Sequence, residues 1–394
     1  MRERIIFLLL LGFDALILFY SVSTLSITAN EADLYLYGNS FVHYLSHAST
    51  ALFGQNDFAL RLPMILFHLL SVVLLYMVSK PYVKRNSDRL WLVFVYMLLP
   101  GVMSAALLVN SAGVMIFSLF LLLYLHQKDL PFIPFLLVLY LFVDGAYSLL
   151  YFALFFYAWH KKNRFYMAFT ALLFCGSYFI YGFDTMGKPS GHFLDTLGLY
   201  ATIFSPVVFV FIVYVLYRSM VSKKEDIALY IGGGVFITSL LLSFRQQIHI
   251  ESFAPYLMLL LPLAAQTFFS SYRVRLREFR GRYRMILAVG FALLSVHFFL
   301  LLFNKGLYLF LENPKDHFAY KTHIAKELAM ELHEKEIDCI FVSNRNLQNR
   351  LEFYGVKQCQ NKVLEEVLPN VKADVTVRYM GKVAAGFNVT KSPI

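Results

Sequence analysis

Two carboxylates follow the first apolar segment of the chain by only a few residues. Glu31 and Asp33 begin a loop, residues 26–62, that is too apolar to be free in water and too polar to cross a membrane. The pattern of this loop is typical of amphipathic helices lying in a membrane interface. A carboxylate there could act as a general base on an acceptor. The alternative, which spacing alone favours, is that both are solvated interfacial acids.

Three other side chains have a spacing or a placement that suggests chemistry. His43 and His47 are four residues apart, so on a helix they would share a face and could hold zinc. No third ligand is assured, although Glu31 could approach, and the cofactor stays unknown, with a divalent metal as one option. Asp144 lies between two apolar segments, where a carboxylate is unfavourable unless it faces a wet cavity. Its alternative role is to cap a helical hairpin.

The composition excludes a soluble globular protein. Of the 394 residues, 59% are hydrophobic and only 15% are charged, whereas about a quarter of a soluble domain is charged. The formal net charge is +10, but the basic residues lie in short loops between apolar segments. No basic face with interleaved aromatic residues is evident, so we expect no nucleic-acid partner.

The apolar runs predict an α-helical polytopic membrane protein. A span needs about 20 apolar residues to cross about 30 Å of hydrocarbon. About eleven segments fit, if residues 131–160 form a hairpin at Asp144-Gly145 rather than one long tilted helix. The predicted spans lie near residues 5–25, 63–79, 90–108, 110–125, 131–143, 146–160, 165–182, 198–217, 227–243, 254–270 and 284–303.

The distribution of Lys and Arg predicts the orientation of these spans. Basic residues concentrate in alternate loops, with six arginines between Arg273 and Arg284 alone. The loops on the other side hold only Arg61, Lys188 and Arg245. By the positive-inside rule the N-terminus is cytoplasmic, the C-terminal tail is periplasmic, and the chain lies among the lipids of a bacterial-type inner membrane.

The chain changes character after the last predicted span. We expect residues 1–303 to form the membrane domain and residues 304–394 a small periplasmic α/β domain. Cys339 and Cys359 both lie in this tail and could form a disulfide there. In the tail, periodicity predicts helices at 317–336 and 346–354 and strands at 337–342 and 373–378.

The sequence that enters the second predicted span resembles a segment of a known family. The run from Phe53 to Tyr76, FGQNDFALRLPMILFHLLSVVLLY, resembles a segment of the C-type glycosyltransferases. The resemblance is to the branch that contains the protein O-mannosyltransferases and the lipid A aminoarabinose transferase. This branch is similar to glycosyltransferase family 39. Asn30-Glu31-Ala32 resembles the Asp-Glu pair of that family. Weaker matches follow in the same order at Leu108–Leu125, Phe142–Ala146 and Ser252–Pro262.

This resemblance, which covers about residues 1–270, implies an inverting glycosyltransferase. Its donor would be a polyprenyl-phosphate sugar, and its acceptor an envelope lipid, glycan or protein at the outer membrane face. The phosphate leaving group needs cations, and the candidates on that face are Arg245, Arg61, Lys188, His192 and His249. Arg245 is the first choice because a guanidinium binds two phosphate oxygens, with interfacial snorkelling as the alternative. Arg61 is expected to pair with Asp57 across one helical turn.

Three positions depart from the pattern of the family. Asn30 replaces the Asp of the first loop, Asn110 replaces an Asp at the fourth span, and Asp144 replaces a hairpin lysine. An amide cannot accept a proton as a carboxylate does. The base must therefore be Glu31 or Asp33, and Glu31 is the first choice because it matches the acidic half of the pair. Asn110 and Asp144 are candidate substrate-binding residues.

Two other functions are compatible with the sequence. A transporter or flippase for a lipid-linked glycan would typically show repeats and charges at the membrane midplane, and only Asp14 and Asp144 are such charges. A non-catalytic assembly protein stays open because two acids of the family are amides here. The resemblance nevertheless favours an enzyme.

The charge asymmetry gives a first testable prediction. A reporter fused after residue 304 should be active only outside the cytoplasm, and one fused near Arg277 only inside, because the basic loops stay cytoplasmic. Alkaline phosphatase and fluorescent-protein fusions measure the two outcomes. Swapped signals would overturn the predicted orientation.

Overall fold

The protein is predominantly helical. The structure, a computed structural model, describes residues 2–182, 191–222, 225–276, 278, 280–367 and 373–391. In chain order the α-helices of these residues are α1 (Arg2–Thr24), α2 (Ala29–Tyr37), α3 (Phe41–Phe53), α4 (Asp57–Val78), α5 (Asn86–Met97), α6 (Pro100–Leu107), α7 (Ser111–Gln127), α8 (Ile133–Tyr140), α9 (Tyr147–His160), α10 (Arg164–Tyr181), α11 (Phe193–Phe204), α12 (Pro206–Val221), α13 (Ile227–Ser243), α14 (Ile250–Met258), α15 (Leu261–Val274), α16 (Arg280–Leu302), α17 (Tyr320–Glu334) and α18 (Arg345–Phe353). Two 3₁₀ segments, Asn304–Leu309 and Pro314–Asp316, follow α16.

The chain divides into two compact units. The first unit comprises Met1–Leu16, Met64–Ala106 and Asn110–Phe298. The second unit comprises Ile17–Pro63, Leu107–Val109 and Phe299–Ile394. The loop at residues 26–62, called the first loop below, therefore belongs to the same unit as the C-terminal tail.

Helix length and composition support the predicted polytopic membrane fold. Within the described ranges, three helices are long and apolar enough to cross a membrane, namely Arg2–Thr24, Asp57–Val78 and Tyr283–Leu302. Three further candidates are bent pairs: α5 with α6 at 63°, α11 with α12 at 108°, and α14 with α15 at 44°. Counting each bent pair as one span gives up to six candidates, and the number eleven stays a prediction.

Besides the bends in α5 with α6 and in α14 with α15, two of the predicted spans differ in form from the expectation. Residues 131–143 contain only the eight-residue helix α8, which at about 1.5 Å per residue is too short to cross the hydrocarbon alone. A turn separates α8 from α9, so the prediction of two helices rather than one long helix is confirmed. The segment predicted as one straight span at 198–217 consists of two helices, α11 and α12, because the chain bends at Ser205, whose φ is 65°, before a proline that lacks an N–H.

The first unit has a buried polar contact as well as apolar packing. Oδ2 of Asp14 lies 2.6 Å from Nε2 of His68, and both side chains are buried. Asp14 is near the middle of α1 and His68 near the middle of α4. The contact therefore satisfies two polar groups that apolar surroundings would otherwise leave unpaired.

The tail in the second unit is a small α/β domain, as predicted. Its described strands are β1 (Phe341–Val342), β2 (Lys362–Val367), β3 (Val375–Tyr379) and β4 (Lys382–Lys391), in the sheet order β1-β2-β4-β3. Strand β1 is parallel to β2, and the other pairs are antiparallel. Cys339 and Cys359 form a disulfide. Strands β2 and β4 were not predicted; the sequence of β2, KVLEEV, buries only Leu364 and lacks an apolar alternation.

Candidate active site in the first loop

A buried ion pair joins the two ends of the first loop. At the start of α2, the Thr28 side chain accepts a hydrogen bond from the Glu31 N–H, and the Glu31 carboxylate accepts one from the Thr28 N–H. This capping box fixes the direction of Glu31. From the first turns of α4, Arg61 donates from Nη2 to Oε2 of Glu31 at 2.9 Å and from Nε to Oε1 at 3.1 Å. The exposed fraction is 2% for Glu31 and 0% for Arg61.

Backbone groups complete the coordination of both charges. Arg61 also donates to the carbonyl oxygens of Leu25 at 3.3 Å and Ser26 at 2.9 Å. The N–H of Val109 donates to Oε1 of Glu31 at 2.9 Å. With the bonds from Thr28 and Arg61, the carboxylate accepts four hydrogen bonds, which is about its full capacity.

The electrostatics of Glu31 follow from this coordination. Burial raises the pKa of Glu31, but the charge and hydrogen bonds of Arg61, together with the N–H groups of Thr28 and Val109, outweigh that effect, and the pKa lies below its ordinary value. The group is therefore ionised, but its acceptor sites are occupied. This geometry argues against the expectation that Glu31 is the general base, and it assigns Glu31 to holding the loop in place.

The predicted pairing of Arg61 with Asp57 is confirmed, with Nη1 at 3.7 Å from Oδ1. Asp57 also has two closer partners in the C-terminal domain. The Tyr354 hydroxyl donates to Oδ1 at 2.6 Å, and Nζ of Lys326 lies 2.8 Å from Oδ2. Burial, followed by the Asp57 charge, raises the pKa of Tyr354, so this hydroxyl stays a donor. Arg61 is thus part of a charge network rather than a free phosphate ligand.

Helix α18 forms further hydrogen bonds with the first loop and with α17. Arg350 donates from Nε to the carbonyl oxygen of Ile27 at 2.7 Å and from Nη2 to that of Thr322 at 2.5 Å. Burial lowers the pKa of Arg350 to about 10, which still leaves the guanidinium charged at neutral pH. Gln55 donates from Nε2 to the carbonyl oxygen of Phe353 at 2.8 Å. The C-terminal domain is therefore attached to the loop by directed hydrogen bonds.

Asp33 lies on a different face of α2 from Glu31. It is exposed, and the Asn349 amide donates from Nδ2 to its Oδ1 at 2.6 Å. Among the described residues, no contact engages Oδ2 of Asp33. Asn30 is also exposed and lies one turn earlier, and residues three apart share a helix face. Asp33 thus presents a carboxylate on the face where the family resemblance places an Asp.

In the first unit, Asn110 caps a helix and Asp144 stabilises a turn. Oδ1 of Asn110 accepts the Ala112 N–H at 3.1 Å at the start of α7. Oδ1 of Asp144 accepts the Ala146 N–H at 2.8 Å just before α9. The contact of Asp144 stabilises the turn between α8 and α9, and a substrate contact for either residue stays a prediction.

The structure brings His192 close to the loop that contains Arg245 and His249. The His192 N–H donates to the carbonyl oxygen of Ser243 at 2.8 Å. The side chains of Arg245 and His249 are exposed in the same first unit, where they are accessible to an anionic ligand. Lys188 lies outside the described residues. Donor binding by these four residues stays a prediction.

His43 and His47 face the carbonyl end of α2. Nδ1 of His43 lies 2.8 Å from the carbonyl oxygen of Leu34, and Nε2 of His47 lies 2.7 Å from that of Tyr35. These hydrogen bonds attach α3 to α2. In the part of the chain that the structure describes, no group of three or more potential metal ligands occurs.

Sequence reasoning missed the residues that the C-terminal domain contributes to the first loop. Helix α18 has the sequence RNLQNRLEF, and its polar composition suggests exposure. Three consecutive polar residues of this helix are nevertheless buried. The one indication in the sequence was the small number of apolar residues in α18, because such a helix can pack against its neighbours only through polar contacts. The missed residues are Lys326, Asn349, Arg350 and Tyr354.

Comparison with solved structures identifies the fold. The chain is similar to ArnT from Cupriavidus metallidurans in the apo state, with a TM-score of 0.55 and 13% identity over 89% of this chain and 84% of that chain. It is also similar to the same protein bound to undecaprenyl phosphate, with a TM-score of 0.54 and 13% identity over 89% and 85%. ArnT is a lipid A aminoarabinose transferase of the C-type, so the resemblance seen in the sequence is confirmed for the fold. No protein-family model and no curated protein matches the chain.

The ion pair gives a prediction for stability. Removing one partner of a buried pair typically costs about 3–5 kcal/mol because the other charge stays buried and unpaired. We expect Arg61→Met to lower the thermal unfolding midpoint in detergent more than Glu352→Gln, which changes an exposed charge on α18. Equal midpoints for the two variants would contradict a stabilising pair.

The lowered pKa of Glu31 makes this stabilisation dependent on pH. A group with a lowered folded pKa stabilises the fold above its ordinary pKa of 4.5, and this contribution is lost as the pH falls through the folded value. Wild-type protein should therefore lose stability in that acid range, and Glu31→Gln should lose less. Parallel acid-unfolding curves would contradict the assignment.

Proposed function

Because the chain has the fold of ArnT, we propose that it transfers a sugar from a polyprenyl-phosphate donor to an acceptor of the cell envelope. The similarity to ArnT supports a lipid-linked donor, because one ArnT structure holds undecaprenyl phosphate. The observation that carries the proposal for this chain is the exposed Asp33 carboxylate in the first loop. A transferase needs such a group to deprotonate its acceptor.

Asp33 is the proposed general base, in place of Glu31. Glu31 has four hydrogen bonds and is buried, whereas Asp33 is exposed and accepts one bond from Asn349. Asn30 cannot accept a proton, but Asp33 lies one turn further along the same helix face. The substitution at position 30 is thus compatible with catalysis, because a carboxylate remains on that face.

The proposed reaction is an inverting displacement. Asp33 takes the proton of the acceptor hydroxyl as its oxygen forms a bond to the anomeric carbon of the sugar. The bond from that carbon to the phosphate oxygen breaks, and the polyprenyl phosphate leaves with the electron pair. Phosphate binding by the exposed Arg245 of the first unit is a separate proposal, based on the capacity of a guanidinium to bind two oxygens at once.

The C-terminal domain contributes to the same proposal through Asn349. This side chain is only 3% exposed and donates to Oδ1 of Asp33. A hydrogen bond to one carboxylate oxygen orients the other towards the acceptor, as the partner of a catalytic base does. Asn349 would therefore be a positioning residue rather than a catalytic one.

Replacement of the base is the main test. Asp33→Asn should lower sugar transfer about 10²–10⁴-fold, because general-base catalysis contributes about that factor, and binding of the donor should survive. The assay measures transfer of radiolabelled mannose or aminoarabinose from undecaprenyl phosphate to a total envelope extract.

Two further variants serve as controls for this assay. Glu352→Gln removes an exposed acid of α18 and should leave transfer unchanged. Glu31→Gln should reduce the yield of folded protein more than the turnover of each folded molecule. Full activity of Asp33→Asn would remove Asp33 from the mechanism. No transfer by the wild type would favour a flippase or an assembly protein.

Asn349→Ala tests the positioning residue. It should lower kcat about tenfold with little change in KM, and it should have no further effect in an Asp33→Asn background, because interacting residues are not additive. Gln55→Ala removes a different hydrogen bond between the C-terminal domain and the first loop, and it should leave kcat unchanged. Equal losses in Asn349→Ala and Gln55→Ala would mean that both bonds only attach the domain.

A further inference from the structure

An arginine-rich segment between α15 and α16, in the first unit, is not explained by the proposed reaction. Residues 273–284 contain six arginines. The structure describes the side chains of Arg273, Arg275, Arg280 and Arg284. A group of like charges this dense is unfavourable unless the side chains are held in place and their positive charge is neutralised.

Two tyrosine rings organise three of these guanidinium groups. Cζ of Arg275 lies 4.5 Å from the centre of the Tyr283 ring, and Cζ of Arg280 lies 5.8 Å from the centre of the Tyr272 ring. Arg284 donates from Nε to the Tyr272 hydroxyl at 3.0 Å. The two ring centres are 6.1 Å apart, so the three cations form one patch.

The carbonyl end of α15 fixes the middle of this patch. Arg280 donates from Nε to the carbonyl oxygen of Arg275 at 2.9 Å and from Nη2 to that of Arg273 at 3.3 Å. A cation at a helix C-terminus is favourable because the last carbonyl groups lack partners within the helix. The guanidinium of Arg280 is therefore held in place before any ligand arrives.

The charge of the patch is not neutralised within the described residues. Arg273 forms an ion pair with Asp88, but no described carboxylate forms one with Arg275, Arg280 or Arg284. Three positive charges that rings and carbonyl groups already hold in place suit an anion with several oxygens, because each guanidinium fork can donate two hydrogen bonds.

Exposed apolar side chains lie beside these cations. The exposed fraction is 85% for Val274 and 69% for Leu276, and both flank Arg275. The helix that follows contains Tyr283–Leu302, a candidate membrane span, so the patch lies close to a bilayer surface. A free anion would leave both apolar side chains in water, whereas a lipid surface would cover them.

We propose that Arg275, Arg280 and Arg284 form a binding site for the phosphate of an anionic phospholipid, whose acyl chains cover Val274 and Leu276. Basic residues beside a span bind anionic lipid headgroups. The rings of Tyr272 and Tyr283 distinguish this site from a disordered basic loop, because they fix the positions of the guanidinium groups. The proposal does not depend on the transferase activity.

Native mass spectrometry of the full-length protein tests the site. The protein is equilibrated in detergent with equal amounts of phosphatidylglycerol and phosphatidylcholine, and the bound lipids are counted. Wild type should retain phosphatidylglycerol preferentially. A triple variant with Arg275→Gln, Arg280→Gln and Arg284→Gln should lose this preference about ten- to a hundredfold.

A matched triple variant controls for net charge. Arg4, Arg85 and Arg164 are exposed arginines elsewhere in the first unit, and their replacement by Gln should preserve the preference for phosphatidylglycerol. Equal losses in the two triple variants would overturn the proposal. If the first triple variant does not fold, Arg275→Gln alone should lower the preference about fivefold, and an unchanged preference would overturn the proposal as well.

The apolar neighbours distinguish a lipid from a free phosphate. Val274→Ser with Leu276→Ser should weaken retention of phosphatidylglycerol while the arginines are intact. Inorganic phosphate at millimolar concentration should not displace the lipid. Displacement by inorganic phosphate, or unchanged retention in the double Ser variant, would reject the lipid as the ligand.

Discussion

The buried pair of Glu31 and Arg61 is the contact on which the geometry of the first loop depends. Each charge would be strongly unfavourable in an apolar setting without the other. Together they connect the start of α2 to the start of α4, and backbone groups satisfy their remaining hydrogen bonds. Because both ends of the loop are fixed by one contact, the exposed face of α2 has a defined direction. The proposed chemistry of Asp33 requires that direction.

The C-terminal domain extends this arrangement. Tyr354 and Lys326 contact Asp57, while Arg350 contacts the backbone that precedes α2. The disulfide from Cys339 to Cys359 encloses α18, the helix that carries Arg350. A cross-link of this kind restricts the unfolded chain and joins the segment before α18 to the segment after it. The domain thus supports the first loop with polar contacts that need a specific geometry, rather than with apolar surface alone.

The departures from the family pattern acquire a physical meaning in this setting. Asn30 and Asn110 retain hydrogen-bonding capacity but cannot take a proton, and Asn110 uses its side chain to cap α7. Glu31, which the resemblance matches to the acidic half of the first-loop pair, holds the loop. Under the proposed role of Asp33, the amide at position 30 is therefore compatible with catalysis.

The sequence alone determined the membrane class, the position of most helices, the α/β tail and the resemblance to C-type glycosyltransferases. These features depend on local hydrophobicity, on periodicity and on one specific run, Phe58-Ala-Leu-Arg-Leu-Pro63, all of which a linear chain displays. Only the tertiary structure decided which acid of the first loop is available. Glu31 is paired with a residue 30 positions away, and Asp33 with one 316 positions away. Burial and hydrogen bonding depend on such distant partners, and the identities of two neighbouring acids in a sequence do not contain them.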